Sequence, residues 1–312
     1  MRAIVLTAFG PAENLSYVHM DDPEPAAGQV RIDVKAVPVQ LLETRLRAGI
    51  PLGLHPLPRL PQVPGGSVAG VVEAVGPQVD ETWIGTRVAA SIDEGGNAEL
   101  ALADTSQLYV LPEGVDFADA TVMLSTGPTT LAILELAALG PEDVVLVTAA
   151  SGAIGGLLTQ RARRIGATVI GLASRGKPVN ADLVVDYTDP DWAEQVRDRG
   201  VTVVLEGVGG ATAEAALGLL VPGGRAVSFG AASGEFARSV RDDITHQSLF
   251  ETSWMEVFAD PEGSRELVSR SLAALADGSF TPAIQPFPLA DAAEAHEALE
   301  ARRTSGQVVL IP

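Results

Sequence analysis

A glycine-rich turn is the segment of this sequence whose residue types most clearly suit chemistry. The segment Ala149–Gly156 reads Ala-Ala-Ser-Gly-Ala-Ile-Gly-Gly and lies between a predicted strand and a predicted helix. In a G-x-G-x-x-G turn, Gly152 would allow a pyrophosphate to approach the backbone, Gly155 would allow the helix to pack on the strand, and the helix N-terminus would favour the negative charge. Although Ala150 replaces the first glycine, this context predicts a dinucleotide-phosphate site. Its residues are Ser151, Gly152, Ala153 and Ile154.

The next predicted strand ends in a basic turn, Ser174-Arg175-Gly176-Lys177. A site for NADH would place an acidic residue there, to bind the 2′-hydroxyl of the ribose. Two cations and a hydroxyl group suit a 2′-phosphate instead, so Ser174, Arg175 and Lys177 predict NADPH as the cofactor. The alternative is an ordinary solvated basic turn, which is less expected in a chain with a net charge of −19.

Two later turns also end predicted strands. Gly207 and Val208 follow one strand, and Phe229, Gly230 and Ala231 end the next. Because ligands of open α/β sheets bind beyond the carboxyl ends of the strands, these five residues are predicted to line the same crevice. Glycine also simply terminates many strands, which leaves a structural role as the alternative.

The elements that position these turns alternate between strand and helix. Strands are predicted at 144–148, 167–172, 183–186, 201–205 and 225–229, and helices at 155–165 and 211–220. Such alternation predicts a doubly wound parallel sheet with helices on both faces. The chain up to residue 118 carries strand patterns at 30–37, 68–76 and 87–90 and is predicted to be β-rich. After it, helical spacing covers 119–139 with an interruption near Gly127-Pro128, and the C-terminal part mixes helices at 264–276 and 290–301 with a strand at 308–311.

The composition excludes several classes of function. The 312 residues carry 21 Lys and Arg against 40 Asp and Glu, and this acidity opposes binding to nucleic acid or to an anionic membrane. The sequence has no cysteine, which excludes disulfides, iron–sulfur clusters, a thiolate nucleophile and Cys-liganded zinc. The first ten residues lack the apolar stretch of a signal peptide, and no apolar run reaches the length of a membrane span. A cytoplasmic protein is therefore expected.

Six motifs together resemble the medium-chain dehydrogenase/reductase superfamily, in its zinc-free quinone oxidoreductase (zeta-crystallin-like) branch. They are the segments 63–76, 95–99, 149–156, 185–187, 223–225 and 305–312, and their order and spacing extend the resemblance over nearly the whole chain. The first motif contains Gly65-Gly66-Ser67, where zinc-dependent relatives carry Gly-His-Glu. Together with the absence of cysteine, this difference predicts that there is no catalytic metal.

The resemblance implies a GroES-like β-rich catalytic domain, residues 1–118 and 256–312, and an inserted Rossmann domain, residues 119–255, that binds NADPH. It also implies a homodimer joined through the nucleotide domains, and a small-molecule substrate. By resemblance, Tyr187 would join the 2′-phosphate end of the cofactor site. Thr129 and Ser253, the latter beside Trp254, would join the nicotinamide end.

The segment before the proline-rich loop departs from that branch. Relatives tend to carry an Asn and one or two Tyr there, whereas this chain has Gln40, Arg45 and Pro51. Gln40 is the predicted catalytic residue, through a hydrogen bond to the substrate oxygen or to the cofactor ribose, and a packing or surface amide is its alternative. Arg45 could steady an anionic substrate or be a solvated helix residue, and His55 could donate a proton near neutral pH. The stretch 177–182 is too short for the helix that relatives carry there.

These residues favour metal-free hydride transfer from NADPH to a quinone or an α,β-unsaturated carbonyl. Such acceptors spread the negative charge over a conjugated system, whereas a simple ketone normally needs a Lewis acid or a well-placed proton donor. The departure at Gln40 motivates a different class, a non-catalytic NADPH-binding sensor or partner protein. A third possibility is a tailoring reductase of a biosynthetic pathway that acts on one bulky enone.

Overall fold

The computed structural model describes residues 1–51, 56–238 and 241–312. They form two compact units, one of residues 1–125 and 284–312 and the other of residues 126–283. These limits differ from the predicted domain boundaries after residues 118 and 255. The helix Phe117–Ser125 packs on strands of the first unit, and the helix Pro261–Ala276 packs on the helix Gly127–Ala137 of the second, so both limits lie further toward the C-terminus.

The described residues contain the following strands and α-helices. The strands are β1 (Arg2–Leu6), β2 (Leu15–His19), β3 (Gln29–Val39), β4 (Ser67–Val75), β5 (Arg87–Ser91), β6 (Leu100–Asp104), β7 (Leu108–Val110), β8 (Val144–Val147), β9 (Thr168–Ala173), β10 (Leu183–Asp186), β11 (Val201–Glu206), β12 (Leu220–Ser228), β13 (Thr245–Ser248), β14 (Ile284–Pro288) and β15 (Gln307–Ile311). The helices are α1 (Leu41–Arg47), α2 (Phe117–Ser125), α3 (Gly127–Ala137), α4 (Ala153–Ile165), α5 (Gly210–Gly218), α6 (Trp254–Ala259), α7 (Pro261–Ala276) and α8 (Ala292–Glu300).

The first unit is built on a seven-stranded sheet. Its strand order is β14-β15-β3-β4-β5-β7, β6 also pairs with β3, and β1 and β2 form a separate antiparallel pair. In β3, Val30, Ile32 and Val34 are buried while the polar residues between them are not, which is the alternation that the sequence showed. This β-rich unit agrees with the predicted GroES-like fold class.

The second unit is built on six parallel strands in the order β10-β9-β8-β11-β12-β13. Helices cover both faces: α3 and α4 pack on the side of Val145 and Val147, and α5 packs on the side of Leu146. The direction of winding reverses between β8 and β11, and the carboxyl ends of two such strands are where open α/β sheets bind ligands in a crevice. The predicted doubly wound sheet is therefore present.

Several elements differ from the sequence prediction. The strand β12 begins at Leu220, ahead of Pro222, although a helix was predicted up to residue 220 and a strand only from residue 225. The helical pattern at 119–139, in contrast, is interrupted where the sequence predicted, since α2 ends at Ser125 and α3 begins at Gly127. The helices α1 and α6 and the edge strand β13 were not predicted, since these short segments carry no clear apolar period. As predicted, the described residues 177–182 contain no helix. Among the described residues, no single helix is long and apolar enough to cross a membrane; α2 and α3 satisfy that length and composition only as a pair bent by 50°.

Candidate active site

The turn after β8 leads into α4 without a side-chain cap. Gly152 is the residue before the helix and, as a glycine, has no side chain to cap the free N–H groups at this helix end. At Gly155, a Cβ atom would lie 2.3 Å from the carbonyl oxygen of Ala149, so only glycine lets the helix approach the turn this closely. Uncapped N–H groups and the helix dipole suit an anion. The structure thus brings Ser151, Gly152, Ala153 and Ile154 to one such helix end.

The basic turn follows β9 on the same edge of the sheet. The N–H of Lys177 donates to the carbonyl of Ser174 at 3.2 Å, and Arg175 is exposed between them. Tyr187, from the end of the neighbouring strand, packs against the core on the α5 side. Strand pairing thus places these four predicted residues, Ser174, Arg175, Lys177 and Tyr187, at neighbouring strand ends.

An acidic residue that the sequence interpretation missed also stands at this turn. Parallel pairing of β9 with β10 places Asp186 beside Ala173. Hydrogen bonds from the Thr188 hydroxyl and N–H lower the pKa of Asp186, and the N–H and charge of Arg175 lower it further. Only the pairing of β9 with β10, which nine residues separate in the chain, would have revealed the position of Asp186. Local sequence patterns do not encode such pairing.

The turn after β11 is held by two fully buried side chains. Oε1 of Glu206 accepts hydrogen bonds from the N–H groups of Val208 at 2.6 Å and Gly209 at 2.9 Å, and from Oγ1 of Thr148 at 3.3 Å. The N–H of Gly207 donates to Oγ1 of Thr148 at 2.8 Å. Burial raises the pKa of Glu206, and the three donated hydrogen bonds oppose that rise. This turn therefore has its own N–H groups satisfied, unlike the start of α4.

The loop after β12 packs directly on that turn. The N–H of Ala232 donates to the carbonyl of Gly207, and the N–H of Ser233 donates to the carbonyl of Val208 at 2.7 Å. A Cβ at Gly207 would lie 2.6 Å from the Phe229 ring, and a Cβ at Gly230 would lie 2.7 Å from the Gly207 oxygen. The predicted residues Gly207, Val208, Phe229, Gly230 and Ala231 are therefore brought together.

The two residues predicted from resemblance for the nicotinamide end lie in, or immediately before, helices of the second unit. Thr129 is partly exposed in the first turn of α3, a helix that packs against β11 and β12. Ser253 is exposed immediately before α6, and Trp254 after it joins the core on the α3 and α4 side. Both residues are thus adjacent to segments that pack on the α3 and α4 side of the parallel sheet.

The predicted catalytic residue, Gln40, belongs to the first unit, at the junction of β3 and α1. Its N–H donates to Oε2 of Glu43 at 2.9 Å, and the Glu43 carboxylate also accepts the N–H of Gly66. Burial raises the pKa of Glu43 to about 7 despite these two hydrogen bonds. Arg45 is partly exposed, and His55 lies outside the described residues. Glu43 was missed, although an acid three residues into a helix is a capping signal.

A second polar group lies near the same loop. Asn97 is 1% exposed, and neither amide atom has a partner within the described part of the chain. A Cβ at Gly65 would lie 2.7 Å from Oδ1 of Asn97, which explains glycine at this position of positive φ. Across residues 1–51, 56–238 and 241–312, no three His, Cys, Asp or Glu side chains are arranged to hold a metal ion.

Comparison with known proteins finds similarity to dehydrogenases and quinone oxidoreductases along the whole chain. The family described as zinc-binding dehydrogenase matches residues 179–310, and the alcohol dehydrogenase GroES-like domain matches residues 26–113. The chain is 34% identical to a quinone oxidoreductase of Pseudomonas aeruginosa, over 100% of this chain and 99% of that protein. It is 32% identical to a 2-haloacrylate reductase of a Burkholderia species, over 100% and 99%. A mycobacterial protein solved in complex with NADPH superposes with a TM-score of 0.82, at 32% identity over 100% of both chains.

Proposed function

The chain belongs to the quinone oxidoreductase branch of the medium-chain dehydrogenase/reductase superfamily, and on this premise we propose that it is an NADPH-dependent reductase of quinones or α,β-unsaturated carbonyls. The observation that carries the proposal is the uncapped N-terminus of α4 at the switch point of the parallel sheet, with the basic turn at the end of β9 beside it. One position suits a pyrophosphate and the other suits a 2′-phosphate. The mycobacterial relative bound to NADPH supports this cofactor.

Residues at different strand ends would bind different parts of the cofactor and the substrate. The N–H groups at the start of α4 would bind the pyrophosphate, and Arg175 and Lys177 would bind the 2′-phosphate. Val208 and Phe229 supply apolar surface from two strand ends that already satisfy their own polar groups. When bound, NADPH supplies the hydride, and Gln40 is proposed to hold the substrate oxygen or the cofactor ribose by a hydrogen bond.

The proposed reaction does not use zinc. The family match carries a zinc-binding description, but the sequence has no cysteine and reads Gly65-Gly66-Ser67 at the position of the zinc-dependent motif. The side chains of the described residues likewise supply no cluster of metal ligands. The available donors therefore do not fit a catalytic zinc, and a conjugated acceptor is the substrate class that can accept hydride without one.

We further propose a homodimer, as the family resemblance implies, and a cytoplasmic location, as expected from the sequence. Phe236 and Phe250 are 57% and 47% exposed, and their rings meet edge to face at 5.6 Å near the edge strand β13. An exposed aromatic pair beside an edge strand supports a contact with a second copy.

The test measures NADPH binding and NADPH oxidation. We expect the wild-type chain to bind NADPH more tightly than NADH, and R175A and K177A to weaken NADPH about tenfold or more while leaving NADH unchanged, because only NADPH carries the 2′-phosphate. R199A is the matched control, since Arg199 is exposed at the opposite, amino end of β11. Equal affinities of R175A, K177A and wild type for NADPH would contradict the proposed site.

The acceptor is identified by stopped-flow oxidation of NADPH with quinones, enones and acrylates. The acrylates are included because the Burkholderia relative is named for an unsaturated halogenated acid. Turnover of one of these classes, reduced in a Gln40→Ala variant, supports the reductase. Tight NADPH binding with no turnover of any acceptor would instead favour the non-catalytic sensor.

A further inference from the structure

A buried carboxylate stands at the switch point of the parallel sheet. Glu206 ends β11 and is 0% exposed. The pairing of Leu205 with Val147 places it beside Thr148, the residue that follows β8. Because winding reverses between β8 and β11, this is the position over which doubly wound sheets bind a dinucleotide. A titratable group with no assigned role therefore lies beneath the proposed cofactor.

Hydrogen-bond donors surround one oxygen of the Glu206 carboxyl group. Oε1 accepts three hydrogen bonds, from two N–H groups and the Thr148 hydroxyl, and donates none. Oε2 is buried and has no partner among the described residues. Three donors aimed at one oxygen favour the charged form, but burial outweighs them and raises the pKa of Glu206. At pH values above this raised pKa, Glu206 places a negative charge below the proposed cofactor position.

We propose that the carboxylate of Glu206 stabilises the oxidised form of the nicotinamide cofactor relative to the reduced form. The inference rests on the proposed function, since it requires a nicotinamide cofactor in this crevice. The proposed 2′-phosphate site lies at the end of β9 and the pyrophosphate site at α4, which leaves the side of β11 and β12 for the nicotinamide. The oxidised ring carries one positive charge that the reduced ring lacks, and a buried charge acts on it with little screening. Glu206 accordingly favours departure of the hydride.

A neighbouring acid, in the loop that packs against the same turn, provides the matched control. The backbone of Glu235 packs against that turn, since a Cβ at Gly209 would lie 1.6 Å from the Glu235 oxygen. The Glu235 residue is exposed, so water and salt screen its charge. Both acids can be neutralised by the same isosteric change to glutamine, and only the buried one should affect the charge state of the bound ring.

The experiment compares dissociation constants for NADP⁺ and NADPH in wild type, E206Q and E235Q by calorimetry. We expect E206Q to weaken NADP⁺ relative to NADPH by about tenfold or more, the scale of one charge acting within about 12 Å at an effective dielectric constant of about 20. E235Q should leave the ratio unchanged. An unchanged ratio in E206Q, or an equal shift in E235Q, overturns the inference. If the wild-type chain binds neither form, the proposed function fails instead.

A second measurement covers the case in which E206Q does not fold. The NADP⁺/NADPH affinity ratio of the wild-type chain is then followed while the pH is lowered. The 2′-phosphate titrates in both forms of the cofactor and cancels from the ratio. The charged or titratable groups on neighbouring elements include Arg225 on β12, His246 on β13, Glu135 on α3, Arg161, Arg163 and Arg164 on α4, Glu214 on α5, Glu235 in the loop after β12 and Glu251 after β13. The preference for NADP⁺ should fall as Glu206 protonates. If the same fall with pH is seen in E235Q, the change is not due to Glu235. An affinity ratio that does not change with pH contradicts the inference.

Discussion

Glu43 and Glu206 are carboxylic acids that accept backbone N–H groups, but they stand in different surroundings. Glu206 receives three donors at the floor of the parallel sheet. Glu43 receives the N–H groups of Gln40 and Gly66, and burial raises its pKa to about 7. It therefore changes charge close to neutral pH while it ties the start of α1 to the loop before β4. Through Gln40, that tie also positions the predicted catalytic amide.

The pH dependence of stability should reveal Glu43. Its folded pKa of about 7 lies above the value of 4.5 for a free glutamate, so its contribution is fully present below pH 4.5 and is lost as the pH rises through 7. We expect the free energy of unfolding of wild type, relative to E43Q, to fall by up to about 3 kcal/mol across that range, because each pKa unit is worth about 1.4 kcal/mol. Urea unfolding at several pH values measures it.

The control for Glu43 is E113Q, at an exposed glutamate of the same unit. The free energy of unfolding of E113Q should change with pH in the same way as that of wild type. Parallel curves for E43Q and wild type would show that Glu43 does not change its protonation on folding, and would contradict the expectation.

At the scale of elements, Arg225 joins helix α3 to the parallel sheet. From β12 it donates to the carbonyls of Ala137 and Ala138, at 2.6 and 3.1 Å, and to both carboxylate oxygens of Asp143. Burial alone would raise the pKa of Asp143, but the hydrogen bonds from Arg225, Gly140 and Thr202 lower it. The motif 223–225 therefore lies at the amino ends of the strands, away from the crevice, and acts in stability.

Removing that guanidinium should destabilise the second unit without affecting its cofactor site. We expect R225A to lower the free energy of unfolding by about 2–4 kcal/mol, because several charge-assisted hydrogen bonds are lost and a partly buried carboxylate loses its partner. NADPH affinity should stay within about twofold of wild type at temperatures where the variant is folded, since Arg225 is at the opposite edge. Urea unfolding and fluorescence titration test the two statements, with R199A as the control arginine. A loss of affinity without a loss of stability would contradict this assignment.

For the whole molecule, the net charge of −19 conceals local exceptions. The basic turn at Arg175 and Lys177 is one. Another is buried in the first unit, where Arg47 on α1 is 4% exposed, bonds to Gly10 and pairs with Glu300. His296 on α8 is 1% exposed near it, and neither ring nitrogen has a partner in the described chain. Burial and then the charge of Arg47 lower the pKa of His296 to about 4.

Acid should therefore destabilise the first unit through His296. Its folded pKa of about 4 is below the ordinary 6.5, so the unfolded chain binds more protons between these values, and stability present above pH 6.5 is lost as the pH falls. Between pH 6.5 and 4, we expect the free energy of unfolding of H296L to fall by about 3 kcal/mol less than that of wild type. Thermal unfolding over that range measures the difference.

H19Q, at an exposed histidine, is the control for this loss. Because Glu43 acts in the opposite direction over an overlapping range, the comparison is between variants at each pH. Equal acid losses in H296L and wild type would contradict the assignment to His296.

Local patterns determined much of this protein. Alternation in β3, the apolar strands β8, β9 and β11, and the glycine turn at 149–156 are encoded within short segments, because side-chain period and backbone conformation depend on near neighbours. From them came the α/β class, the doubly wound sheet and the helix end that suits a phosphate. The absence of cysteine, with Gly65-Gly66-Ser67, directed the interpretation to the zinc-free branch.

Only the tertiary structure decided which distant residues became neighbours. Strand pairing places Asp186 beside the basic turn, and Glu206 accepts a hydrogen bond from Thr148 across the switch point. Glu43 accepts the N–H of Gly66 from another loop. The tertiary structure likewise placed Arg225 at the edge opposite the crevice, and α7 in the second unit. These contacts join segments far apart in the chain, and their burial sets pKa values and hydrogen-bond partners that no local pattern carries.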